Sequence, residues 1–101
     1  MLKKYMDDNP DDPFNIYALA LEYLDLEVKI SKSYFDKLLK NHPDYLPTYY
    51  HAANLYLELD NFEEAKKLYN KGILLAEKQG DINTLNELQN ALNTLLFEDK
   101  E

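Results

Sequence analysis

The chain has 101 residues, 11 basic against 19 acidic, a net charge of −8 and no cysteine. That is enough chain for one small domain; it excludes a disulfide scaffold, a cysteine zinc site and a cysteine nucleophile, and the acidic balance lacks the basic footprint that nucleic acid or an anionic membrane requires. No apolar run approaches the ~20 residues of a membrane span, and the opening Met1-Leu2-Lys3-Lys4-Tyr5-Met6 lacks the apolar core of a signal peptide, so a soluble, cytoplasmic protein is expected. With 46% hydrophobic and 30% charged residues the composition is globular. Two glycines and four prolines leave too few breaks for many short strands and favour long helices.

Residues 1–12 are mixed and end in the acidic stretch Asp7-Asp8-Asn9-Pro10-Asp11-Asp12. Leu2, Tyr5 and Met6 could form one helical turn with an apolar side, and the remainder reads as a loop. Asp12-Pro13 reads as a helix start, because Asp can cap free amides and Pro at the first helical position loses no needed donor. From Phe14 to Leu26 nearly every face is apolar: Ile16, Leu19, Ala20 and Tyr23 make one stripe, and Phe14, Tyr17, Leu21 and Leu24 a second. A helix apolar on two sides must be covered on both or expose one for binding. The second stripe could be covered by residues 1–12, pair with another copy, or form an open ligand groove.

After a break around residues 25–28, the next helix is predicted from about Lys29 to Asn41, with Ile30, Tyr34, Phe35, Leu38 and Leu39 buried. It is stopped by His42-Pro43, since the residue before Pro disfavours helix. Pro47 starts a third helix running to about Leu59, with Tyr49, Ala52, Ala53 and Tyr56 as its stripe. Asp60-Asn61 is the turn, and Asn61 followed three residues later by Glu64 resembles a capping box. The fourth helix carries Phe62, Ala65, Leu68, Tyr69, Gly72, Ile73, Leu75 and Ala76. Gly80 suits a left-handed helix end and Asp81 the next N-cap. The fifth helix, Ile82 to Phe97, sets Ile82, Leu85, Leu88, Leu92, Leu95 and Leu96 against Asn83, Asn86, Asn90 and Asn93 on its other side.

The helix pairs recur at about 34 residues, an internal repeat. The second pair reads Tyr49-x2-Ala52-Ala53-x2-Tyr56, then Ala65, Tyr69 and Gly72; the first reads Ile16-x2-Leu19-Ala20-x2-Tyr23, then Ser31, Phe35 and Leu38, closed by Pro43. This pattern resembles the tetratricopeptide repeat. The first pair departs from it in a shorter inter-helix turn and in Leu38 at the late small position. Leu85-x2-Leu88-Gln89-x2-Leu92 repeats the first-helix motif and is similar to the family's terminal capping helix. The resemblance implies an all-α, right-handed solenoid of two helix pairs plus a C-terminal capping helix, laid out as an N-terminal segment 1–12, repeats 13–44 and 45–79, and a capping helix and tail 80–101. Ala20 and Ala53 would let paired helices approach closely, and Tyr23 and Tyr56 would fill the space between pairs. Each pair buries its apolar side only against a neighbour, and about three repeats are usually needed for stability. The N-terminal turn or dimerisation could compensate for the short array.

No enzyme signature is present. The only glycines, Gly72 and Gly80, make no phosphate loop. His42 reads as a solvated turn residue, His51 as a packing or edge residue and Ser31 as a small packing residue. Asp7, Asp8, Asp11 and Asp12 lack the alternating ligands and Gly of a Ca²⁺ loop and read as a solvated loop. No metal and no cofactor are expected. By the family resemblance, the first helix of each pair lines a concave face, which assigns Phe14, Tyr17, Leu21, Leu24, Tyr50, Asn54 and Leu57, then Asn83, Asn86, Asn90 and Asn93, to a groove for a peptide or protein partner. Tyrosines supply rigid contact area, and asparagines both donate to and accept from a peptide backbone; the plainer reading of the Asn row on a terminal helix is a solvated face. Some family members grip an acidic chain terminus with Lys, Asn and Arg. Here Tyr17 and Leu21 stand where a lysine would be needed and the chain has no Arg, so that subtype is excluded. The function expected is a non-catalytic protein-binding module, with a homodimer built on the same apolar face as the alternative.

Overall fold

The computed structural model describes residues 11–99, with the side chain of Asp99 left aside. The expected turn at Leu2, Tyr5 and Met6, the carboxylates Asp7 and Asp8, and any covering of the first helix by residues 1–10 lie outside the described residues. Within them are five α-helices and no strand: α1 (Pro13–Tyr23), α2 (Val28–Asn41), α3 (Pro47–Glu58), α4 (Phe62–Gln79) and α5 (Ile82–Asp99). The chain divides into two compact units, the first ending at Thr48 and the second beginning at Tyr49.

In the first unit Asp12 is an extended N-cap, its carboxylate accepting from the Phe14 N–H at 2.9 Å, with Pro13 in the first turn. Ile16 and Ala20 of α1 and Phe35 and Leu38 of α2 are fully buried. Ser31, a small packing residue by sequence, does more than fill space. Its hydroxyl, also fully buried, donates to the Ala20 carbonyl at 2.7 Å. Ala20 lies in the last turn of α1, where carbonyls lack intrahelical donors; the Leu24 N–H is bonded to Leu21 instead. Tyr23 stacks on Tyr34 within the pair, ring centroids 6.0 Å apart.

Three details depart from the sequence reading here. α1 ends at Tyr23, so Leu24 is its C-cap residue, followed by a turn closed by the Leu26 and Glu27 N–H groups on the Tyr23 carbonyl. Ile30 is 40% exposed, because the buried row of α2 runs through Ser31, Phe35 and Leu38, spacings of four and three that leave Ile30 one position off. His42 is half-buried rather than solvated, as the C-cap of α2, its N–H on the Leu38 carbonyl at 2.7 Å.

The second unit packs Tyr49, Ala52, Ala53 and Leu55 with Ala65, Leu68, Tyr69 and Ala76 and with Leu88, Leu92 and Leu95. Gly72 sets a close approach: a Cβ there would stand 2.8 Å from Tyr49 Cβ and 2.9 Å from Leu88 Cδ1, so α4 meets α3 and α5 through bare backbone. Asn61 caps α4 by accepting from the Glu64 N–H at 3.3 Å, one half of the expected capping box. The Asn61 N–H, which Glu64 would have taken, goes to the Tyr56 carbonyl at 2.9 Å. With the Asp60 N–H on Leu57, that pair of bonds is a Schellman ending for α3, and Asp60 occupies its left-handed position at φ 61°. The same ending closes α4, with Gly80 at φ 72° and the Asp81 N–H on Ala76. Asp81 then caps α5, accepting from the Thr84 N–H and hydroxyl at 3.0 and 2.9 Å; these bonds hold its carboxyl below the usual carboxylate range. Ile82, expected in the core stripe, is 63% exposed: it sits in the first turn, six residues before Leu88, a spacing that takes it off the face shared by Leu88, Leu92 and Leu95.

Candidate functional site

The second unit contains an open pocket of about 270 Å³ lined by Tyr50, Asn54, Leu57, Tyr69, Ala91, Thr94, Leu95 and Glu98. Three of these, Tyr50, Asn54 and Leu57, are groove residues expected from sequence; spacings of four and three put them on one face of α3. The other wall belongs to α5, where Ala91, Thr94, Leu95 and Glu98 recur at i, i+3, i+4 and i+7. Sequence reasoning missed this row because it assigned α5 only its leucine stripe and its asparagines. The helical spacing was visible, with Leu95 shared between the core and the pocket.

The pocket's polar groups are held in place. The Tyr69 hydroxyl donates to Asn54 Oδ1, so the Asn54 amide nitrogen remains as the donor. Burial, and secondarily Tyr50, pushes the Tyr69 hydroxyl up to about 12, keeping it neutral and donating. The Thr94 hydroxyl donates to the Asn90 carbonyl at 3.0 Å. Tyr50 meets His51 edge-on, centroids 5.4 Å apart. Burial lowers the His51 pKa, against the opposing charge of Glu87, consistent with an imidazole at the edge of the packed interior.

Asn83, Asn86, Asn90 and Asn93 are all exposed and do not line this pocket. In the first unit, Phe14 is 61% exposed, and Tyr17, Leu21 and Leu24 are half-buried. The Tyr17 ring stands edge-on to Tyr45, centroids 5.7 Å apart, and burial, then the Asp12 carboxylate, raises the Tyr45 hydroxyl pKa. Neither Tyr17 nor Tyr50 is sealed in the interior. Among the described residues no group of three or more His, Cys, Asp or Glu side chains could hold a metal ion, and no helix is long and apolar enough to cross a membrane.

Paired helices, small residues at their crossings and a repeated helix ending define an all-α repeat protein, and the comparisons specify which. The tetratricopeptide repeat model matches residues 32–88, and the chain belongs to the tetratricopeptide repeat family. A solution NMR structure of a tetratricopeptide repeat domain protein from Salinibacter ruber is 39% identical and superposes with a TM-score of 0.81, over 86% of this chain and 89% of that one. A crystal structure of a tetratricopeptide repeat domain protein from the same organism gives 39% identity and a TM-score of 0.80, over 83% of this chain and 96% of that one. No curated protein matches this chain. Tetratricopeptide repeats generally mediate protein–protein interaction and are generally non-catalytic.

Proposed function

We propose that this protein is a cytoplasmic, non-catalytic binding module that holds a segment of a partner polypeptide, with the second unit's pocket as its principal contact. The observation that carries this reading is the pocket itself, walled by Tyr50, Asn54 and Leu57 of α3 and by a row of α5 side chains. At about 270 Å³ it falls below the ~300–1,000 Å³ of sites that enclose drug-sized molecules and suits a side chain of a polypeptide. With Asn54 Oδ1 taken by Tyr69, the amide nitrogen is the group left to donate to a backbone carbonyl, a contact indifferent to partner sequence. Phe14, Tyr17, Leu21 and Leu24 are assigned a partner-facing role in the first unit, with repeats at 13–44 and 45–79 and a capping segment at 80–101. Asn83, Asn86 and Asn90 would act outside the pocket, on the exposed face of α5.

The test is affinity capture from the native host followed by mass spectrometry. A Tyr50→Ala, Leu57→Ala variant keeps the helical circular dichroism spectrum and loses the captured partner. Equal capture by the variant overturns the reading. Sedimentation over a concentration series addresses the alternative: a dimer abolished by Phe14→Ser would make the apolar face of α1 a contact between copies.

A further inference from the structure

Resting on that reading, we propose that the second unit's pocket is selective for a basic side chain, a lysine or arginine of the partner segment. The lining combines apolar stem-binding surface from Leu57, Ala91 and Leu95 with the Glu98 carboxylate and four neutral polar groups, on Tyr50, Asn54, Tyr69 and Thr94. Two of the three hydroxyls have already given away their protons, Tyr69 to Asn54 and Thr94 to Asn90. A hydroxyl whose proton is engaged can only accept, so both oxygens keep acceptor capacity alone. With the carboxylate they form an acceptor-rich lining, which suits a guest that carries only donors: an ammonium has three N–H groups and a guanidinium five. The methylenes of such a side chain would lie along the aliphatic wall while its charged head reaches the acceptors. Tyrosine faces attract cations, and the net charge of −8 draws a basic segment towards the chain and repels an acidic one. The one remaining amide donor, Asn54 Nδ2, serves the guest's backbone carbonyl and does not oppose the charge.

Four capped pentapeptides, two alanines on either side of arginine, lysine, leucine or glutamate, test this on the whole chain by following the amide resonances of Tyr50, Asn54, Ala91 and Thr94. The arginine and lysine peptides should saturate these shifts about tenfold more tightly than the leucine or glutamate peptides, as a charge-assisted contact would give. Glu98→Gln should remove about fivefold of the arginine peptide's affinity and leave the leucine peptide unchanged, and high salt should erase the preference. Thr94→Val, which keeps the shape and removes the acceptor, should weaken arginine and lysine alone. A leucine or glutamate peptide that binds as tightly as the arginine peptide overturns the basic preference and leaves the binding-module reading standing, as does indifference of the arginine peptide to Glu98→Gln. If none of the four moves these resonances at millimolar concentration, the pocket is no peptide site and both readings fall.

Discussion

Ser31 shows what a single atom contributes. A small residue was needed where α1 and α2 approach, and alanine would have met that need. The serine hydroxyl adds a donor for the Ala20 carbonyl, sealed from water at the end of α1. Ser31→Ala would keep the packing and leave that carbonyl unsatisfied, a loss of about 1–3 kcal/mol. It should appear as a lower urea midpoint with an unchanged slope; an unchanged midpoint would mean the carbonyl finds water. Sequence could reveal the need for a small side chain but not the hydroxyl's partner, eleven residues back, because that depends on how far α1 extends before its carbonyls lose their own donors.

At the level of elements, helix contacts and helix endings decide the geometry. Gly72 places backbone against Tyr49 Cβ, an atom close to the α3 main chain that cannot swing aside. Gly72→Ala gains about 1 kcal/mol of helix propensity and incurs an overpacking cost of about 1–3 kcal/mol. The collision prevails, and a net loss of about 1 kcal/mol is expected by thermal or urea unfolding; a gain in stability would show that α3 can retreat freely. The two Schellman endings offer the opposite experiment. Gly80 occupies its left-handed position without strain, whereas Asp60 holds the same conformation with a side chain. Asp60→Gly should raise stability by up to about 1 kcal/mol, measured in the same way. All five helices and the caps at Asp12, Asn61, Gly80 and Asp81 were legible in the sequence, because apolar spacing and cap chemistry are local; the end of α1 at Tyr23, the His42 cap and the left-handed Asp60 were not. The exposure of Ile30 and Ile82 was not, because each stands off the buried row of its helix, and which row is buried depends on where the facing helix lies.

For the whole molecule, two titrating groups bound the range of stability. His51 has a folded pKa below its ordinary 6.5, so between the two values the unfolded chain binds a proton that the folded chain does not, and acidification favours unfolding. Tyr69 runs the other way. Its folded pKa is about 12 against 10.0, so between these values the unfolded chain gives up a proton that the folded chain keeps, and alkali favours unfolding. Stability against urea should therefore be flat from about 6.5 to 10 as far as these two groups are concerned. It should fall on both sides, with His51→Gln removing the loss that begins just below about 6.5 and Tyr69→Phe reducing the alkaline loss, which the raised Tyr45 shares. The α3 half of the pocket was legible because the repeat pattern carries its own register. The α5 half was not, since Thr94 and Glu98 look like ordinary surface residues until a facing helix turns their row into a wall.

The bond between Tyr69 and Asn54 bears on how tightly anything could be held. An unpinned asparagine must surrender rotational freedom when it is captured, and that entropy is subtracted from affinity. Here the amide is tied to Tyr69 by folding itself, so a chain bound there as proposed would meet a contact already ordered and would dissociate more slowly than from a mobile one.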